Sequence, residues 1–403
     1  MEYLDLFVKE EDSLLLNTVR KFVEKEIFPV RQLIDDDKDH VIVTEILQKM
    51  VDLGLFRALI PPEFGGDGMP SPFSRLLLRT ELARGDMGIN LSWAVTEWAL
   101  RPAIMANNKT VMDTYAPWFT GDKLHLACFS ITEPHSGCDV ENVDHFHGRS
   151  VRVKAKLDGD EWVISGQKSL ASNSGVADLY CVLCQTDPEL EEEGLVFLYV
   201  PKDARGLSFG KFENKAGVQG DRNCDVYFDD VRVPKEHCAA GPGEDGKLLR
   251  VQLVAGRMAS AANAVGNAMA VFEHVLKYTG ERIVGGKPIR EHSIAAGMLA
   301  DMAIGIETAK AFMLQCAYMG TKPEIYGAPY SSQALSRASM AKVYATDMAI
   351  MVANKAMELM GSYGYFRDYN IEKYWRDNKI VQLWLGGAQL GRLDAVRGYY
   401  KLD

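Results

Sequence analysis

Residues 151–165 read V-R-V-K-A-K-L-D-G-D-E-W-V-I-S. Two β-rich runs, 151–157 and 162–165, flank Asp158-Gly159-Asp160, which has the turn chemistry of a hairpin. Further short apolar runs at 179–184, 195–200 and 226–233 extend this texture over roughly 124–233. Outward from it the period changes. Over residues 12–28 the apolar positions Leu15, Val19, Phe22, Val23 and Ile27 recur at spacings of three and four, one helical face, and Pro29 should end the helix. Helical patterns follow at about 43–53, 71–83 and 88–100. Beyond a Gly/Pro-rich linker at 239–246, Val251, Val254, Met258, Ala261 and Val265 repeat at helical spacing, and such patterns continue nearly to the C-terminus. The fold class is therefore mainly α with a central β-domain, divided as 1–122, 123–238 and 239–403.

Composition narrows the function. The 403 residues, 47% hydrophobic and 25% charged, suit a compact globular protein with room for a large core. A formal charge of -10 with no basic block disfavours nucleic-acid binding. Met1-Glu2-Tyr3-Leu4-Asp5 lacks the basic-then-apolar pattern of a signal peptide, and no later apolar stretch has membrane-spanning length, so a cytoplasmic protein without membrane insertion is expected. Seven cysteines are too sparse for a disulfide framework. Cys181 and Cys184 form a CxxC inside an apolar run, where strand alternation sends the two thiols to opposite faces and no second pair completes a zinc set. His145 and His147 likewise lack further ligands by spacing, so no metal site is expected. The acidic run 187–193 reads as a solvated loop, and Asp86 as a helix cap. No fixed-period repeat is present.

Six motifs then occur in order along the chain. Leu55-Phe56 with Ile60-Pro61-Pro62-Glu63-Phe64-Gly65-Gly66 is similar to LGxFxxxIPxExGG, and Glu81-Leu82-Ala83-Arg84 to an ELAR helix end. Ile131-Thr132-Glu133-Pro134 with Ser136-Gly137-Cys138-Asp139 matches TEPxxGSD, apart from Cys138 in place of serine. Gly166-Gln167-Lys168 with Ser172-Asn173 fits GxKxxITN, and Lys215-Ala216-Gly217-Val218-Gln219-Gly220 fits KxGxRG. Met360-Gly361-Ser362-Tyr363-Gly364-Tyr365, followed by Arg376-Asp377, is similar to the GGxGY and RD segments. Together these resemble the flavin-dependent acyl-CoA dehydrogenase family over nearly the whole chain. The resemblance implies an N-terminal helical domain, a middle β-barrel-like domain and a C-terminal four-helix bundle, with FAD held between the latter two and a neighbouring subunit of a homotetramer.

By that resemblance, backbone groups of Ile131, Thr132 and Ser172 should line the flavin, the Ser172 hydroxyl being otherwise an ordinary strand-end group. Leu170 stands where an aromatic residue often flanks the flavin. Arg282 matches the arginine that reaches the FAD pyrophosphate across a subunit interface, a role suited to a forked guanidinium; a surface salt bridge is the alternative. Ser293 occupies the position of a glutamine contact to FAD, and Gly361 and Gly364 would admit the adenosine diphosphate close to backbone. For the acyl-CoA substrate, Cys138 should sit beside the pantetheine and Arg257 near the entrance, with Trp93 and Gly386 completing the set.

The resemblance also implies a glutamate that takes a proton from the carbon beside the thioester while a hydride leaves for the flavin. Where that glutamate is expected the chain has Leu385, and at the alternative position, before Arg257, it has Gly256. Leu385 retains a backbone N–H for the thioester carbonyl. Glu97 is the candidate replacement base: flanked by Trp93 and Trp98, it would have a raised pKa if buried beside them, whereas pairing with Arg101 four residues on would make it structural. The branch acting on cyclic esters such as cyclohexene-carboxyl-CoA lacks the late glutamate in the same way. The expected function is thus FAD-dependent oxidation of a cyclic or bulky acyl-CoA, with electrons passing to an electron-transfer flavoprotein. The alternatives are a non-catalytic flavin-binding subunit of a hetero-oligomeric dehydrogenase and a flavin monooxygenase on the same scaffold.

Overall fold

The computed structural model describes residues 7–401; the reading of Met1 to Asp5 lies outside them. Five helices build the N-terminal part: α1 (Glu10–Phe22), α2 (Val41–Asp52), α3 (Ser74–Gly85), α4 (Met87–Met105) and α5 (Lys109–Thr120). α1 carries Glu10, Glu11 and Asp12 in its first turn and Arg20 and Lys21 in its last, the order that the helix dipole favours. Its buried stripe, Leu16, Val19 and Phe22, continues through Val23 and Ile27. The expected helix to residue 28 is corrected here: the α-helix ends at Phe22 and loosens into a π turn, Val23–Ile27, as it nears Pro29. A proline ring crowds the carbonyl four residues before it, and the wider turn relieves that crowding.

α4 is buried on nearly every side, including Asn90, Ser92, Thr96 and Glu97, which makes it the central strut of this domain. Asp86 caps it as read, accepting from the N–H groups of Gly88 (2.8 Å) and Ile89 (3.2 Å).

Seven strands form one curled sheet: β1 (Ala127–Ser130), β2 (Lys154–Asp158), β3 (Glu161–Lys168), β4 (Leu179–Gln185), β5 (Leu195–Pro201), β6 (Leu207–Phe209) and β7 (Val226–Pro234). The β2–β3 hairpin pairs Asp158 with Glu161, so its turn is Gly159-Asp160, with Gly159 at φ 66°. β4 is buried throughout because β1 runs parallel on one side and β5 antiparallel on the other. Cys181 and Cys184 are free, buried thiols in it. A single helical turn, α6 (Cys138–Glu141), interrupts the connection from β1 to β2.

The C-terminal part is a bundle of α7 (Asp245–Glu281), α8 (Ser293–Gly320), α10 (Ser332–Met360) and α12 (Ile371–Leu383). The short α9 (Pro323–Tyr326), α11 (Ser362–Tyr365) and α13 (Gly387–Arg397), and a hairpin of β8 (Ile283–Val284) and β9 (Lys287–Pro288), complete it. α7 also joins the N-terminal domain. A Cβ on Gly266 would stand 2.0 Å from the Thr80 carbonyl oxygen, so only glycine lets α7 and α3 lie this close. Lys373, fully buried, ties the parts by ion pairs to Asp35 (2.9 Å), Asp86 (3.0 Å) and Asp377 (3.2 Å). Among the described residues no helix is long and apolar enough to cross a membrane.

Candidate active site

A cavity of about 1160 Å³ opens where the three parts meet. Its β-side wall comes from two segments that leave strands of the sheet, Ile131-Thr132 after β1 and Leu170-Ala171-Ser172 after β3. Ser169 N–H donates to the Thr132 carbonyl (2.9 Å) and Lys168 Nζ to that of Ile131 (3.0 Å), clamping the two segments together. Glu133 is structural, pairing with Lys168 (2.8 Å) and accepting from the N–H groups of Arg152 and Val153. The Ser172 hydroxyl donates to Asp221 (2.7 Å). Among the described residues, no protein acceptor meets the N–H of Thr132 or of Ser172. Two fixed, unengaged donors on a cavity wall fit the edge of a flavin.

The Lys215–Gly220 motif lies beside this wall, held from the bundle: the Val218 N–H, at φ 55°, donates to Asp377 Oδ1 (2.6 Å), which explains the RD segment. Opposite stands Trp384-Leu385-Gly386. Trp384 Nε1 donates to Ser260 Oγ (2.8 Å), and Lys342 Nζ donates to the carbonyls of Trp384 and of Leu385 (3.0 Å for the latter). Leu385 takes φ 50°, and its N–H has no protein acceptor among the described residues. The two positions where a base was sought converge here. A Cβ on Gly256 would lie 2.8 Å from Trp98 Cζ2 and 2.9 Å from Leu385 Cδ1, so apolar bulk fills the space.

α6 brings Cys138, exposed, and Glu141, buried, to the same cavity. Burial pushes the Glu141 carboxyl up and Asp394 adds to it, while Arg257, Lys342 and the Gly386 N–H pull the other way without cancelling the rise. Burial and the Arg257 guanidinium pull Lys342 down. Glu141 makes no ion pair within 4.0 Å among the described residues. Arg257, by contrast, is enclosed: it pairs with Asp394 (2.5 Å) and donates to Ser339 Oγ (2.7 Å). It does not border the cavity, where the resemblance places an entrance residue, and its charge favours the ionised form of the Glu141 carboxyl.

The last wall is α3 and α4. Positions 94, 97, 98 and 101 of α4 share one face and line the cavity. Trp93 falls on the next face, is fully buried and donates its indole N–H to the Leu55 carbonyl (3.0 Å), which corrects its expected contact with substrate. Glu97 accepts from Arg75 Nε and from Arg79 Nη2 (3.2 Å). Burial alone would raise its pKa; Arg75, Arg79 and Arg101 outweigh that and hold the carboxyl below its ordinary value. The expected rise is therefore reversed, and Glu97 sits as a locked counter-ion.

Four residues expected to touch FAD lie away from this cavity. Arg282 ends α7 exposed, its guanidinium 5.6 Å from the centre of the Tyr363 ring, with no carboxylate partner among the described residues. Tyr363 stands between Gly361 (φ 60°) and Gly364, so one end of the bundle gathers Arg282 with both glycines; Ser293 is the exposed first residue of α8. Among the described residues no cluster of metal-ligating side chains occurs.

Sequence reasoning missed Glu141 and the arginines at 75 and 79, and read Arg101 only as a partner for Glu97. Glu141 lies three residues after Cys138, one helical turn on, and the pairs 75/79 and 97/101 have the spacing of a shared helical face.

Three family models match in order: acyl-CoA dehydrogenase N-terminal domain over residues 9–117, middle domain over 128–231 and C-terminal domain over 246–399. The chain is 32% identical, over 96% of each partner, to the cyclohexane-1-carbonyl-CoA dehydrogenase of Syntrophus aciditrophicus. It is 29% identical to the cyclohex-1-ene-1-carbonyl-CoA dehydrogenase of that organism, over 95% of this chain and 88% of the other. Butyryl-CoA dehydrogenase from Megasphaera elsdenii superimposes over the full length of both chains with a TM-score of 0.87 at 25% identity.

Proposed function

Because the chain belongs to the acyl-CoA dehydrogenase family, oxidoreductases that act on CH–CH groups with FAD, we propose that it oxidises a bulky or cyclic acyl-CoA, with its proton acceptor moved from the late loop to Glu141 on α6. The observation that carries this reading is the filling of both usual base positions by Leu385 and Trp98, beside an unpaired carboxyl that borders Leu385-Gly386. FAD, when bound, accepts the hydride that leaves the β-carbon. The chain's own groups do the rest. The free Leu385 N–H polarises the thioester carbonyl, which acidifies the α-carbon. Glu141, ionised, takes the α-proton, and a double bond forms between the two carbons. Lys342 fixes the turn by gripping the Trp384 and Leu385 carbonyls. Resemblance to enzymes acting on cyclic esters supports the bulky acyl group. An electron-transfer flavoprotein would accept the electrons, a homotetramer would complete the FAD site through Arg282, and seven free thiols favour the cytoplasm.

The test is anaerobic bleaching of the purified yellow protein by straight, branched and cyclic acyl-CoA esters, with Glu141→Gln and Glu97→Gln beside the wild type. The reading expects bleaching that E141Q loses and E97Q keeps. Full bleaching by E141Q would overturn the assignment of the base. No bleaching by any ester, or rapid reoxidation by oxygen with incorporation into substrate, would overturn the dehydrogenase reading.

A further inference from the structure

Arg75, Arg79 and Arg101 face one carboxylate, Glu97, on the wall of the cavity that also holds the reaction. Three cations against one anion leave two positive charges on a surface otherwise built from Leu76, Leu91, Ala94, Val95 and Trp98. The pairing is also geometrically incomplete. Glu97 gives one oxygen to Arg75 and the other to Arg79, so neither guanidinium has a two-point carboxylate contact, and the same Arg79 Nη2 also donates to the Ala94 carbonyl (3.2 Å). Arg101 has no carboxylate within 4.0 Å and no hydrogen bond among the described residues. Burial and mutual repulsion pull Arg79 and Arg101 below the ordinary guanidinium value, as expected of an undercompensated set.

Leaving cations uncompensated against hydrocarbon is costly, and a plain ring or alkyl chain would seal them there. A carboxylate on the ligand would instead complete the set, because a guanidinium fork takes both its oxygens. We propose that this arginine wall is a binding site for a second, anionic group on the acyl moiety, so that the substrate is a CoA monothioester of a dicarboxylic acid. The proposal rests on the acyl-CoA reading above and sharpens it. Arg101 lies three residues past Trp98, about 4.5 Å along the helix axis, and Trp98 packs at the vacated base position. The anionic group therefore falls a few bonds from the reacting carbons, which favours short diacids or a carboxylated ring. Glu97 then serves as a positioning residue that holds Arg75 and Arg79 apart.

The experiment compares length-matched esters on the FAD-loaded protein, glutaryl-CoA against pentanoyl-CoA and 1,2-cyclohexanedicarboxyl mono-CoA against cyclohexanecarbonyl-CoA. Binding is read by calorimetry and turnover by anaerobic bleaching. The charged member of each pair should bind at least about 10-fold more tightly, the order of one charge-assisted pair. Arg101→Met should erase that ratio, and Arg101→Lys, which keeps charge without the fork, should restore part of it. Equal affinity within each pair, or loss of both affinities in the same proportion in R101M with no recovery in R101K, would overturn the proposal. Tight binding of diacid esters without bleaching would sink the dehydrogenase reading alone, and bleaching by neutral esters with no preference would sink this one alone.

Discussion

Leu385 Cδ1 lies 2.9 Å from where a Cβ on Gly256 would stand. Leucine on the loop and glycine on α7 are thus two halves of one packing arrangement, completed by Trp98 Cζ2 at 2.8 Å from the same point. Gly256→Ala should overpack this spot and cost about 1–3 kcal/mol, seen as a lower melting temperature of the holoprotein. In a Leu385→Ala background the same change should cost less, the contact with Trp98 remaining, and equal costs in both backgrounds would contradict the packing.

The pH dependence of bleaching should report Glu141. Its carboxyl is raised by burial, and as the proposed base it acts only when ionised, so the rate should climb with pH through a midpoint above the usual carboxylate range. In E141Q that limb should vanish and the rate fall by about 10²- to 10⁴-fold. Stopped-flow traces across a pH series measure both.

Lys342→Met tests the neighbouring cation. Lys342 favours the ionised form of Glu141, so its removal should carry the acid limb further towards alkaline pH. The variant also frees the Trp384 and Leu385 carbonyls, so acyl-CoA affinity should weaken at every pH. A limb that moves towards acid would contradict the assigned geometry.

Stability should hinge on Lys373. Its loss in Lys373→Met leaves Asp35, Asp86 and Asp377 without their shared cation, a cost of about 3–5 kcal/mol. Asp35, which burial alone would raise, is held below its ordinary value by Lys373 and Arg376. A depressed carboxyl contributes stability above its unfolded pKa and loses it as pH falls through the folded one. Urea denaturation should therefore show the wild type losing stability as acid protonates Asp35, and the deficit of K373M against it narrowing on acidification, because the variant lacks the cation that depresses this carboxyl.

The three-part order was legible because each part keeps its own period: 3.6 in α1, α2 and α7, and alternation across β7. β6, three residues long, and α6, four, escaped because no period shows in so few positions. The site was legible only in part. Thr132, Ser172 and Leu385 present unengaged backbone N–H groups to the cavity at motif positions, which local sequence marks. Glu97 was visible as a polar residue between tryptophans, but its charge setting was not: Arg75 and Arg79 arrive from α3, 22 and 18 residues earlier. Glu141 depends on Lys342 and Asp394, brought in by α10 and α13, and no short-range pattern encodes that meeting.

Of the seven free cysteines, six are buried and Cys138 alone is exposed, on the wall of the large cavity. A maleimide or iodoacetamide should thus tag a single position, slowly, since burial and the neighbouring Glu141 and Asp139 hold that thiol above its ordinary pKa. Whatever fills the cavity should shield it. The molecule thereby carries a built-in gauge of occupancy, able to rank ligands by the protection they give even where no colour change follows.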